Sequence, residues 1–211
     1  MEAEKIAVCD EEGIFLKVAS RQEVHGKGYW HETFHCWFVG RKQGKDIIHL
    51  QLRSKDKKDF PGLFDITAAG HILADETMED GVREVEEELG IAVSFEELIP
   101  LGVIKDQIHE NDFLDNERCH VFLYKAETNI AAMYKLQKEE VAGMMSADFS
   151  SFYDMCMGTS AEMEVEGIEW LPGGEKAAIQ KSVSLKNLVP HGKHYLRDVA
   201  LAIKSELDAF K

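Results

Sequence analysis

The chain has 211 residues, 45% of them hydrophobic, and a formal net charge of −15 at pH 7. That suits a globular protein with a sizeable core, while the acidity excludes loose binding to nucleic acid or an acidic membrane surface, which wants clustered Lys and Arg. Cys9, Cys36, Cys119 and Cys156 stand far apart with no CxxC pair, which reads as reduced thiols in a cytoplasmic protein and not a disulfide framework or zinc knuckle.

The N-terminal stretch MEAEKIAVCDEEG is acidic and lacks an apolar core, so no signal peptide is expected. No apolar run approaches the roughly 18 residues of a membrane-spanning helix. Residues 5–8 and 13–18 read as two short strands around a turn, and residues 21–29 as an extended polar connection. Residues 30–39, rich in aromatic residues, read as a strand, and residues 46–52 as its hairpin partner. Next comes RSKDKKDFPGLFDI, where Arg53, Lys55, Lys57 and Lys58 form the densest basic cluster of an acidic chain. Pro61 and Gly62 break it, and residues 64–68 can form another short strand.

Residues 70–91, GHILADETMEDGVREVEEELGI, combine a glycine-led turn with a helix expected over 78–89. Thr77 is the expected N-cap, Asp80 its capping-box partner, and Gly90 the C-terminal stop. Val82, Val85 and Leu89 make the apolar side. Glu84, Glu87 and Glu88 recur at spacings of three and four, which stacks carboxylates on one helix face. Such a face repels itself unless it is fully solvated or carries a cation. Hard divalent cations take oxygen ligands of this kind and commonly bind substrate phosphates as well. Arg83 can pair with Glu87 one turn away.

Residues 98–108 and 119–126 read as further strands, with the acidic HENDFLDNE between them as a loop. A helix is expected over 147–157. Residues 158–186 are weakly patterned, with a short strand near 165–170 and a helix starting at Gly174. Residues 195–210 form an amphipathic helix through Leu196, Val199, Ala200, Ile203, Leu207 and Phe210.

Residues 70–91 resemble the Nudix box, G-x5-E-x7-R-E-U-x-E-E-x-G-U with U bulky and apolar, at Gly70, Glu76, Arg83, Glu84, Val85, Glu87, Glu88, Gly90 and Ile91. One residue is missing between Glu76 and Arg83. The resemblance implies an α/β (α+β) fold, an α/β/α sandwich around a mixed sheet, in a single domain. Its core would span about 30–160, with 161–211 packed on it as an extension. It implies that Glu84, Glu87 and Glu88 ligate Mg²⁺ or Mn²⁺, that Arg83 orients one of them, and that a metal-activated water attacks phosphorus.

The segments EVHGKGYWHETFHCWF, RSKDKKDFPGLFDITAAGH and DNERCHVFLY are similar to the branch of the superfamily containing isopentenyl diphosphate isomerase. By that likeness His25, His31, His71, Asp115 and Glu117 match a second metal site, and Arg53, Lys57 and Lys58 approach a diphosphate. The isomerase carries a cysteine immediately before the box glycine; here that residue is Ala69. The expected activity is therefore Mg²⁺-dependent hydrolysis of a diphosphate linkage in a nucleoside diphosphate derivative or related organic pyrophosphate. The rivals are an isomerase using other residues and a non-catalytic nucleotide-binding module. Glu88 is the first candidate for the base, Glu117 the second, and Glu139 or Glu140 the third. His35, His49, His109 and His120 are expected to be structural, and homodimerisation is expected by analogy alone.

Overall fold

The structure is a computed structural model and describes residues 4–110, 113–126, 130–171, 175–192 and 194–209. Among the described residues, eleven strands form one mixed, mostly antiparallel sheet: β1 (Lys5–Cys9), β2 (Phe15–Ser20), β3 (Trp30–Lys42), β4 (Lys45–Arg53), β5 (Phe64–Asp65), β6 (Ala68–His71), β7 (Ile99–Glu110), β8 (Phe113–Lys125), β9 (Val141–Asp148), β10 (Glu162–Trp170) and β11 (Lys176–Ser184). The main path runs β11-β10-β9-β4-β3-β1-β2. β5 joins β4, β6 joins β3, and β8 bridges β3 and β7.

Strand β3 organises this arrangement. It pairs with β1, β4 and β6 antiparallel and with β8 parallel, in a register that sets His31 beside Glu117 and Thr33 beside Cys119. Its side chains alternate, as the pleat requires. Phe34, Cys36 and Phe38 enter one core with Val85 and Leu89. Trp37 and Val39 enter the other, with Phe152, Val199 and Ile203. Helix α2 (Arg83–Leu89) covers the first face, and α3 (Phe149–Cys156) and α4 (Tyr195–Ala209) cover the second. The result is the expected α+β architecture with helices on both sides of a sheet.

Several elements differ from the sequence reading. Residues 21–29 are not extended: Arg21–Lys27 is a helix, α1. Ser20 accepts the Glu23 N–H, and Gly28 closes the helix in the left-handed region at φ 63°. Ser20 and Glu23 stand at capping-box spacing, a local signal that was there to be read. The described part of the segment expected as the loop HENDFLDNE is strand, shared by β7 and β8, which puts Asp115 and Glu117 on a pleated face; Asn111 and Asp112 lie outside the described residues. Lys176–Ser184 is a strand paired with β10, not a helix, and the expected start at Gly174 lies outside the described residues. From Lys176 to Gln180 exposed and half-buried residues alternate, the period of a sheet rather than of a helix. α4 follows the expected pattern with Val199, Ala200 and Ile203 buried, and Phe210 lies outside the described residues.

The helix of residues 78–89 is divided. A 3-10 turn, Glu79–Val82, leads into α2, which ends on Gly90 at φ 67°. Half of the expected capping box forms: Asp80 accepts from Thr77 N–H and Oγ1, both at 2.8 Å, but Thr77 caps no backbone N–H.

Candidate active site

A cleft of about 590 Å³ lies where β3, β5, β6 and β8 meet α2. Gly70, on β6, sits against the box helix. A Cβ on this glycine would stand 2.2 Å from Glu84 Oε1, so only a residue without one lets Glu84 reach its position. Arg83 spreads over several acceptors. Its Nε and Nη2 donate to Glu76 at 2.5 and 2.9 Å, Nη1 to Glu84 at 2.6 Å and Glu87 at 3.3 Å, and Nη2 also to the His71 carbonyl. Glu76 in turn accepts the Leu73 N–H at 2.9 Å. The one-residue shortening ahead of Arg83 therefore leaves the Glu76–Arg83 pair intact. The 3-10 turn occupies the stretch where that residue is missing.

Arg83, Glu84, Glu87 and Glu88 all line the cleft, in graded exposure. Glu87 is more than half exposed, and Glu84 is 14% exposed. Glu88 is 5% exposed and accepts from Gln51 Nε2 and Ala69 N–H, both at 3.3 Å. Burial pushes the Glu84 carboxyl up to about 7, against the pull of Arg83. Burial, with Glu84 beside it, pushes Glu88 up to about 8. Two buried carboxyls that disfavour their own ionisation form an oxygen donor set that suits a hard divalent cation, whose charge would offset the cost.

A second cluster lies behind this wall. His25 comes from α1, His31 from β3, His71 from β6, and Asp115 and Glu117 from β8. His25, His31 and His71 each offer a donor atom within 4.8 Å of the others, as do His31, Asp115 and Glu117. The Nε2 atoms of His25 and His31 lie 3.3 and 3.5 Å from Asp115 Oδ1, yet all three atoms are buried without a satisfied hydrogen bond. His31 Nδ1 lies 3.1 Å from the Tyr29 carbonyl, a contact only an N–H can satisfy. That places the lone pair on Nε2, facing Asp115, which is the tautomer a metal ligand needs. Imidazoles with carboxylates suit a transition ion such as Mn²⁺ or Zn²⁺ better than Mg²⁺. Glu84, Glu87 and Glu88 form no such compact three-donor set.

The basic residues are more committed than their sequence suggests. Arg53 lines the cleft but donates to Asp65, the Asp59 carbonyl and the Phe60 carbonyl. Lys57 lines the cleft in an ion pair with Glu140. Lys58 is exposed and does not line the cleft, nor does Glu139. Arg21, which the sequence reading passed over, lines the cleft paired with Asp59 at 3.0 Å. Phe60 and Phe113 also line it and meet edge to face at 5.7 Å. Phe60 sits at φ 51°, rare for a bulky side chain.

Two further cleft-lining residues were missed, together with Tyr195, which is buried behind one of them. His35, expected to be structural, lies in the cleft wall with Nε2 3.4 Å from Glu117 Oε2 and Nδ1 2.6 Å from the Tyr195 hydroxyl. His191 also lines the cleft, held between Asp65 and Asp106. Only His35 had a local signal, its alternation with His31 on one strand. His191 and Tyr195 arrive from the far end of the chain.

With this geometry the relationship to known proteins is clear. The NUDIX domain family matches residues 7–154, and the chain belongs to that family. It is 36% identical over 206 residues, 98% of this chain and all of the other, to an uncharacterized Nudix hydrolase of Clostridium acetobutylicum. It is 30% identical over 152 residues to an isopentenyl-diphosphate Delta-isomerase of Saccharopolyspora erythraea, covering 71% of this chain and 74% of that one. A solved Deinococcus radiodurans protein shares the fold at a TM-score of 0.52 and 15% identity, over 74% of this chain and 90% of that one. The protein is thus a Nudix hydrolase family member, and no helix among the described residues is long and apolar enough to cross a membrane.

Proposed function

We propose that the protein hydrolyses a diphosphate linkage in a nucleoside diphosphate derivative or related organic pyrophosphate. The observation that carries this reading is one cleft lined by Arg83, Glu84, Glu87 and Glu88 on one wall and by Arg53 and Lys57 near it. Glu84, Glu87 and Glu88 would hold Mg²⁺ or Mn²⁺. A divalent cation bound there supplies charge neutralisation to the phosphates and acidifies a water. Arg83 keeps Glu84 and Glu87 oriented, and Arg53 and Lys57 hold phosphate oxygens, Lys57 by leaving Glu140. Glu88 is the first candidate to accept the water's proton, because a carboxyl lifted toward neutrality suits a base; Glu117 is the second. His25, His31, His71, Asp115 and Glu117 would hold a second ion. We read the chain as one cytoplasmic domain acting without nucleic-acid or membrane partners, and homodimerisation stays a proposal by analogy.

The isomerase reading draws on the second cluster and on the isomerase relative. Against it, Ala69 supplies no thiol, and no cysteine among the described residues lines the cleft. A panel of nucleoside diphosphate derivatives, dinucleotides and prenyl diphosphates, assayed with Mg²⁺ for phosphate and pyrophosphate release, tests the proposal. Release that falls at least ~100-fold in Glu88→Gln supports it. Isomerisation of isopentenyl diphosphate without any hydrolysis of the panel would overturn it, and binding of the panel without turnover would point to the non-catalytic module.

A further inference from the structure

We propose that the C-terminal segment positions both walls of the cleft: His191 fixes Arg53 through Asp65, and Tyr195 fixes Glu117 through His35. The inference rests on the diphosphate-hydrolase reading for what these walls do. The two chains of contacts stand independently of it.

The first chain starts at Asp106 on β7. Its Oδ2 lies 2.7 Å from His191 Nδ1, and Asp65 Oδ1 lies 3.0 Å from His191 Nε2. Ionised carboxylates only accept, so both ring nitrogens must carry hydrogen and His191 is an imidazolium. Burial opposes that charge, but the two carboxylates outweigh it and raise the group to about 10. The other Asp65 oxygen accepts from Arg53 Nη1 at 2.7 Å. Asp106, His191, Asp65 and Arg53 thus alternate in sign along one buried line. Arg53 has five N–H donors. Asp65, Asp59 and Phe60 take three and fix its plane, which leaves two for a ligand in the cleft that it lines.

The segment is built to close on this line. Val189 N–H donates to the Phe64 carbonyl at 2.9 Å, next to Asp65. Gly192 N–H donates to Asp106 Oδ1 at 2.5 Å, and a Cβ on Gly192 would stand 2.7 Å from that oxygen. A larger residue would push the tail off Asp106.

The second chain runs from Trp37. Its Nε1–H donates to the Tyr195 hydroxyl oxygen at 3.4 Å. Tyr195 is 1% exposed, so its own proton needs a partner. Among the described residues, His35 Nδ1, at 2.6 Å, is the acceptor it meets. An accepting Nδ1 places the hydrogen of His35 on Nε2, which faces Glu117 Oε2 at 3.4 Å and Thr33 Oγ1 at 3.2 Å. Tyr195 therefore sets the His35 tautomer that presents an N–H to Glu117. His191 and Tyr195 act through other residues, and we class both as positioning residues.

Calorimetric titration of inorganic pyrophosphate with Mg²⁺, beside steady-state kinetics, separates the two chains. His191→Gln is expected to weaken pyrophosphate binding and raise KM about tenfold, the size of one charge-assisted hydrogen bond, with kcat changed less than KM. Tyr195→Phe is expected to lower kcat about tenfold and leave pyrophosphate affinity within about twofold, because it touches Glu117 and not Arg53. Folded variants that match wild type in affinity, KM and kcat would overturn the inference. Should a variant not fold, nitrogen-15 spectra of the wild-type histidines decide. Both His191 nitrogens stay protonated from pH 6 to 9 and His35 carries its hydrogen on Nε2, or the inference fails. The spectra and the pyrophosphate titration need no turnover. A wild-type protein inert on every substrate would therefore sink the functional reading while leaving the two chains to be judged alone.

Discussion

Glu84 lies so close to Gly70 that the glycine has no room for a side chain, a Cβ there falling 2.2 Å from Glu84 Oε1. The first glycine of the box is thus tied to the first carboxylate of its helix by contact, not by backbone dihedral. Gly70→Ala should push Glu84 out of the cleft, weaken Mg²⁺ activation and lower turnover at least ~10-fold. Overpacking of this kind costs ~1–3 kcal/mol. A Mg²⁺ titration of activity beside a thermal melt checks both halves, and an unchanged activation curve would contradict the contact.

Glu88 offers a test in pH. In the unfolded chain its carboxyl titrates near ~4.3, and in the fold it is pushed up to about 8, first by burial and then by Glu84. Between those values the folded state keeps a proton that the unfolded state has released. Stability is therefore full below the unfolded value, falls as pH rises through the window, and levels off above the folded one. Glu88→Gln removes this loss. In chelator, the Tm of Glu88→Gln should gain on wild type by several degrees between about pH 5 and 8.5, since ~1 kcal/mol is worth about 2–4 °C in a chain of this size. Mg²⁺ should narrow the gap by restoring wild type. A pH-independent gap would mean that Glu88 is ionised throughout.

Glu76 anchors Arg83 by two hydrogen bonds, at 2.5 and 2.9 Å. Glu76→Gln should remove the charged, two-oxygen acceptor and leave Arg83 leaning on Glu84, Glu87 and the His71 carbonyl. The expected result is a raised Mg²⁺ requirement and turnover lowered about 10-fold, less than the loss from Glu88→Gln, because Glu76 acts through Arg83. Activity across a Mg²⁺ series reads it, and a loss equal to that of Glu88→Gln would instead place Glu76 among the metal ligands.

Metal content tests the histidine cluster separately. Protein loaded with Mn²⁺ or Zn²⁺ and desalted should retain about one ion per chain, and His31→Gln should retain almost none, as the Nε2 lone pair is lost from a compact donor set. Elemental analysis gives the count. Removing the ion should also expose α1 to faster amide exchange, since His25 ties that helix to β3 and β8. Equal metal content in wild type and variant would remove the cluster from the list of metal sites.

The legibility of this molecule divides along sequence distance. The carboxylate helix was readable because its ligands recur every three or four residues within a single element, and Gly90 stops it where expected. The strand of residues 30–39 was readable from its aromatic and β-branched residues. Helix α1 was not read, although Ser20 and Glu23 carried its cap, because seven mostly polar residues are too few to show an apolar period. The strand expected near 165–170 is part of β10, whereas β11 escaped because most of its residues are exposed and few are apolar and buried.

The local chemistry was legible in the sequence: the box carboxylates, the Gly90 helix stop and the strands that flank them, each fixed by backbone geometry over a few residues. What shares the cleft with them follows from how the strands pack. Parallel pairing of β3 with β8 sets His31 beside Glu117, 86 positions apart by number, and the tail brings His191 between Asp65 and Asp106. The packing also decided that Arg53 and Lys57 arrive already paired with carboxylates. Burial is the physical reason. Which polar groups must find one another inside the fold depends on which strands pack together, and that is a property of the whole sheet rather than of any one stretch.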